Sequence, residues 1–146
     1  MSFRVLLLLS GLAAVACNGP VGLMSGGKLD GELRSLPASW ASLGESGQMQ
    51  LETRPAQPYS VNVNYTIVDG KLYVNAGNTE TKWVENIAAN PLVRLGIDGT
   101  LYDLRAERVT DADEIASFGK VWTRQSMFLR DPAQFEQVWL YRMTPR

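Results

Sequence analysis

A small, closed or nearly closed barrel of six mostly antiparallel β-strands, with helices at the connections, is the architecture this sequence predicts. Two Asp-Gly corners, Asp69-Gly70 and Asp98-Gly99, each stand between strand-like runs, and Asp-Gly tolerates the positive φ that a two-residue hairpin turn needs at both central positions. The last run, QVWLYRMTPR, carries apolar residues on both faces. A strand of that kind is covered twice, and a closed or nearly closed small barrel is the economical way to bury such strands. With 146 residues and 45% hydrophobic content, the chain can bury one real core and is short for two.

Residues 1–17, MSFRVLLLLSGLAAVAC, hold one basic residue, an apolar run from Val5 to Leu9, a Ser-Gly break and small residues ending at the only cysteine. This is the pattern of an export leader rather than of a spanning helix. Its end, Ala14-Val15-Ala16-Cys17, resembles the lipobox of bacterial lipoproteins, with Ala14 where leucine is commoner. The resemblance implies cleavage before Cys17, a diacylglyceryl thioether on its sulfur and an acylated amine, and hence stable anchoring to a membrane on its extracytoplasmic face. The alternative is a soluble secreted protein cut after an A-x-A site, with Cys17 a bystander. An exported chain with one cysteine has no disulfide to form. Asn18, in place of an aspartate, favours the outer membrane where the source has one, and the lack of a twin arginine points to export as an unfolded chain.

From Asn18 to Gly27 the glycines and the absence of periodicity describe a flexible tether, leaving 28–146 as the barrel domain. Leu29, Leu33, Leu36 and Trp40 recur at helix-like intervals, but Gly31 and Pro37 interrupt them, so two short helical turns over one end of the core are expected. Met49, Leu51 and Thr53 alternate with Gln48, Gln50, Glu52 and Arg54 as a half-buried strand, ended by Pro55 and Pro58.

The first Asp-Gly corner sets Val68 against Lys71 and Ile67 against Leu72. By the same count Tyr65 meets Val74 and Val63 meets Ala76 on one apolar face. The opposite face pairs Thr66 with Tyr73, Asn64 with Asn75 and Asn62 with Gly77. The second corner places Leu95 opposite Tyr102, Val93 opposite Leu104 and Arg94 opposite Asp103. Between the hairpins, Thr79 or Thr81 caps a short helix with Trp83, Val84, Ile87 and Ala88 as its buried stripe, and Pro91 stops it by Ala89. Leu101 to Val109 reads as a long, one-sided strand. Thr110-Asp111 then opens a helix packed through Ile115, Phe118, Val121 and Trp122, and Met127, Phe128 and Leu129 give the following loop an apolar tip.

The formal charge of −1 implies no nucleic-acid partner. With no histidine in the chain, histidine-ligated metal or haem, a Ser-His-Asp triad and a Cys-His pair are excluded, so no metal centre is expected. Asp111, Asp113 and Glu114 read as favourable charge at a helix N-terminus rather than as a calcium loop. What remains is the junction NAGNTETKWVENIAANP. Thr79, Thr81 and Lys82 at a helix start can meet an anion through hydroxyls, free N–H groups and an ammonium, and Lys82, Asn86 and Asn90 share one polar face. An ordinary threonine cap with a solvated face explains the same residues.

The Asp-Gly hairpin, LYVNA, a threonine-rich turn, Lys82, NIAANPLVRLGIDG and the terminal YRMTPR together resemble the split-barrel flavin proteins of the pyridoxamine-phosphate-oxidase-like superfamily, including the deazaflavin-dependent nitroreductase branch. The most specific piece is K-x-x-x-N-I-x-x-N-P-x-V, Lys82 to Val93, and the resemblance covers about Gln48 to Arg146. It implies a six-stranded Greek-key barrel, a homodimer, and FMN or a deazaflavin lying along the barrel, with Lys82, Thr79 and Thr81 on the cofactor phosphate. Asn62, Asn64, Thr66 and Asn75, on the polar hairpin face, are then placed to meet the isoalloxazine edge, with Tyr73 a candidate to stack on it. One departure stands out: many FMN-binding members carry an arginine on the first hairpin strand, where this chain has Asn62 and Asn64, and Arg54 is the nearest basic residue upstream. The function implied is a flavin- or deazaflavin-dependent oxidoreductase. The alternative is a non-catalytic envelope lipoprotein whose barrel binds a small ligand or a protein partner.

Overall fold

The computed structural model describes residues 18–146, so the expected leader and Cys17 lie outside the described residues. Six strands close on themselves: β2 (Ser46–Thr53), β3 (Tyr59–Val68), β4 (Lys71–Asn75), β5 (Leu92–Ile97), β6 (Thr100–Arg108) and β7 (Leu140–Thr144). Their order is β6-β5-β2-β3-β4-β7, and β7 pairs back onto β6 to complete an antiparallel barrel. The neighbours β5-β2-β3-β4 run in the spatial order fourth, first, second, third, which is a Greek key.

Both hairpins take the expected register. Val68 faces Lys71, Ile67 faces Leu72 and Tyr65 faces Val74 in the first; Val93 faces Leu104 and Leu95 faces Tyr102 in the second. Asp69 and Gly70 have φ of 50° and 72°, and Asp98 and Gly99 of 48° and 76°, the left-handed pairs that let the strands keep their twist. Arg94 meets Asp103 across the second hairpin at 2.7 Å.

Two apolar layers result. Leu51, Tyr65, Leu72, Val74, Val93, Leu95, Leu104, Tyr141 and Met143 fill the barrel. Helix α1 (Lys82–Ala89) adds Trp83, Val84 and Ile87 to that core as it crosses from β4 to β5. Helix α2 (Ala112–Arg124) lies outside the wall, and its Phe118 meets Val68, Tyr73, Val138 and Leu140. Strand β7 therefore serves both layers, as its two apolar faces predict: Tyr141 and Met143 point in, and Leu140 points out under α2. Gly47 lets the hydroxyl end of the Tyr65 ring approach β2 closely, since a Cβ there would strike the phenol oxygen.

Three expectations give way. The segment 28–44 forms no pair of helical turns. It runs extended, with a two-residue strand β1 (Glu32–Leu33) parallel to β6 and a single 3-10 turn at Ala41–Leu43. Leu29 and Trp40 are buried there while Leu33 is 56% exposed, because an extended backbone alternates its faces and a helical spacing no longer holds. On α1, Ala88 is exposed and Asn86 is buried. The Asn86 amide reaches inward to donate to the Thr53 hydroxyl at 3.0 Å, and so leaves the polar face on which it was placed with Lys82 and Asn90. Residues 18–27, expected as a tether, lie against the barrel: Gly26 and Ser60 exchange two backbone hydrogen bonds of 2.8 and 2.9 Å.

Leu51→Ala should cost about 2–5 kcal/mol in urea denaturation, as deletion of a fully buried side chain does, whereas Leu33→Ala should stay within about 0.5 kcal/mol. The hydrogen bond from Arg94, opposed by partial burial, holds the Asp103 carboxyl below its ordinary value. Its stabilisation is present above the unfolded value, near pH 4, and is lost as pH falls through the lower folded value. Asp103→Asn should therefore be less stable than the parent at pH 7, and that difference should shrink when the same denaturation is measured near pH 3.

Candidate functional site

The turn from β4 into α1 is built by short-range polar contacts. Gly77 adopts φ of 62°, and the Asn75 side-chain oxygen accepts from the Gly77 N–H at 2.8 Å. The Thr79 N–H then donates to the Ala76 carbonyl at 3.2 Å. Thr81, rather than Thr79, is the N-cap, its hydroxyl accepting from the Val84 N–H at 3.4 Å. Thr79 stays exposed at the same turn. Lys82 Nζ sits 2.9 Å from Glu85 Oε2, with both side chains more than half exposed (55% and 51%). Such a pair is worth little and exchanges readily for another anion. Asn75, Thr79, Thr81 and Lys82 thus belong to one short stretch in which Thr79 and Lys82 are exposed and Asn75 and Thr81 half-buried.

A cleft of about 310 Å³ opens beside it. Asn75, Ala76 and Gly77 form one wall; Trp122 at the end of α2, with Phe128, Leu129, Arg130 and Phe135 from the loop beyond, forms the other. Trp122 is fixed by stacking on Phe118, ring centroids 5.7 Å apart and planes at 22°. The loop is held against α2 where Asp131 approaches Gly119, a contact a Cβ would block. Phe128 is 85% exposed, so the second wall offers three aromatic rings, Trp122, Phe128 and Phe135, with the Arg130 guanidinium beside them and the Asn75 amide opposite. Sequence reading treated Trp122 as packing and Phe128 as a loop tip. The available signal was an apolar tip followed at once by Arg130, within reach of a helix end.

The other residues expected to meet a ring are not gathered there. Thr66 and Tyr73 are buried beneath α2: the Gln125 amide donates to the Thr66 hydroxyl at 3.2 Å, and the Tyr73 hydroxyl donates to Glu114 Oε1 at 2.7 Å. Arg142 binds Glu114 Oε1 at 2.6 Å and Glu107 Oε2 at 3.0 Å. Burial, and then the bond and charge of Glu114, push the Tyr73 phenol well above its ordinary value, so it stays protonated and acts as a donor. Asn62 donates to the Gly22 carbonyl at 3.0 Å, and Asn64 is exposed.

A second, more polar cavity of about 410 Å³ is lined by Lys28, Glu52, Arg94 and Arg146, among others. Glu52 is buried and accepts from the Leu29 N–H at 2.6 Å. Arg146 donates to the carbonyls of Val93 and Leu104. Its charged groups are in large part committed to holding the barrel, and none was singled out from the sequence.

Tyr73→Phe should cost about 1–3 kcal/mol, because it leaves a part-buried carboxylate oxygen with one donor fewer. Thermal denaturation measures the loss. The same variant should leave ligand binding in the cleft unchanged, since Tyr73 does not line it.

Comparison with known proteins places these elements in a family. Residues 48–131 match the family described as F420H(2)-dependent quinone reductase. No curated protein sequence is significantly similar to the chain. Among solved structures, the crystal structure of a FAD-binding protein from Mesorhizobium loti is similar at a TM-score of 0.48 and 20% identity, over 67% of this chain and 78% of that one. The family match takes in β3 to β6 and both helices, which is more than half of the sequence: the chain belongs to the F420H(2)-dependent quinone reductase family.

Proposed function

We propose that the protein is a reductase using a flavin-type cofactor, FMN or a deazaflavin, held at the cleft between the 75–82 turn and the end of α2. The observation that carries this is a coincidence of position: the family match runs from Gln48 to Asp131 and so includes Asn75, Lys82, Trp122 and Arg130. The residues fit such a group. Trp122 and Phe128 offer flat apolar surfaces for a ring system, the Asn75 amide offers a donor at its edge, and Lys82, Thr79 and Thr81 offer a cation and hydroxyls for a phosphate. Arg130 adds a second cation at the rim, where the first hairpin strand carries only Asn62 and Asn64. When bound, the cofactor supplies the hydride chemistry. The protein's own part is to bury the ring face, orient its edge and keep the phosphate neutralised.

The same reading has the chain lipid-anchored through Cys17 on the extracytoplasmic face of a membrane, the outer one where there are two, and paired as a homodimer. The lipobox-like Ala14-Val15-Ala16-Cys17 supports the first part and the split-barrel resemblance the second. A non-catalytic envelope module is favoured instead by one observation: Asn62, Thr66 and Tyr73, three of the five expected ring contacts, already have partners within the chain.

Absorbance of the freshly purified protein, followed by fluorescence titration with FMN and with a deazaflavin, separates the two. The reductase reading expects affinity in about the micromolar range. It expects Lys82→Ala to weaken binding by about fivefold, the worth of one exposed charge-assisted contact. Trp122→Ala should weaken it by about tenfold through loss of a stacking surface. Failure to bind either cofactor leaves the module.

A further inference from the structure

We infer that the turn Val21–Met24 is a membrane-contact surface that seats the barrel directly on a lipid bilayer beside the acylated Cys17. The inference rests on the lipid anchor proposed above and extends it from attachment to orientation. Val21 and Met24 close the turn with two backbone hydrogen bonds of 3.1 and 2.9 Å, and Gly22 supplies the positive φ of 56° that the corner needs. Asn62 of β3 holds it by donating to the Gly22 carbonyl at 3.0 Å. On this fixed support Val21 is 59%, Leu23 106% and Met24 68% exposed. Single exposed apolar side chains are ordinary; a pinned four-residue turn presenting three of them is not a random surface.

What covers it follows from its place in the chain. The Gly27 N–H donates to the Asn18 carbonyl at 2.7 Å, so the residue immediately after Cys17 is already tied to the domain. Leu23 lies six positions after Cys17, a span of at most about 20 Å. Acyl chains on Cys17 would therefore hold the turn within about that distance of the bilayer, within reach of contact. The segment from Asn18 to Gly27 carries no charge, and the first charged residue beyond it is the exposed Lys28. That order, apolar turn and then cation, suits an interface in which side chains enter the headgroup region and an ammonium meets lipid phosphate.

The test uses the full chain expressed with its leader, purified and reconstituted in vesicles of phosphatidylethanolamine and phosphatidylglycerol. Mass spectrometry reports the acyl groups on Cys17, and a Leu23→Cys variant then carries a single free thiol for an environment-sensitive fluorophore. Lys71→Cys serves for comparison: it pairs with Val68, six residues along β3 from Asn62 and so roughly 20 Å away. The expected result is blue-shifted emission at position 23, quenched by brominated lipid at least threefold more than at position 71. Equal quenching at the two positions with Cys17 acylated overturns the inference and leaves the anchor standing. An unacylated Cys17 overturns both. A dimer that Leu23→Asp converts to monomer would assign the turn to a second copy of the chain and overturn the membrane assignment.

Discussion

Closure of the barrel by β7 is the constraint on which the rest depends. That strand pairs with β4 on one side and β6 on the other, so it removes the two sheet edges that five strands would leave open. It can do so only because its residues suit two environments at once. Tyr141 and Met143 enter the barrel core, while Leu140, with Val138 just before the strand, lies in the layer beneath α2.

The position of α2 then decides what the outside of the hairpin can do. Phe118 packs on Tyr73, and Glu114 accepts from both Tyr73 and Arg142, so the helix is fixed to β4 and β7 by apolar burial and by a charge-assisted network. Phe118 is fully enclosed, and an aromatic side chain removed from water is worth about 1.5–3 kcal/mol. A hydrogen bond to a charged group is worth about the same, 1.5–3 kcal/mol, and supplies direction. Fixing the start of α2 in this way fixes its end, and with it the Trp122 wall of the cleft.

The cleft itself joins two kinds of structure. One wall, Asn75 to Gly77, is local: an Asn side chain bonded two residues on, and a glycine at positive φ. The other is remote in sequence, and it arrives only because the chain after α2 folds back past Gly119. The charged residues nearest the turn remain exposed and weakly paired, which suits groups that must exchange partners when a ligand enters.

Local chemistry settled a large share of the fold in advance. Asp-Gly corners need left-handed backbone, and a period of two fixes which side chains share a face; both act within a few residues, so the hairpin registers, the end of α1 at Ala89 and the double burial of β7 could be read from the sequence. Of the candidate site, the turn and helix cap between Asn75 and Lys82 were legible, because a cap and a turn announce themselves locally. Tertiary packing alone decided that Thr66 and Tyr73 face α2 rather than a ligand, that Asn86 turns inward to Thr53, and that Trp122 and Phe128 come to stand opposite Asn75. Each of those outcomes is a contact between segments 33 to 59 residues apart or is imposed by such contacts, and the energy of covering one polar face rather than another is set by what the distant segment brings to it.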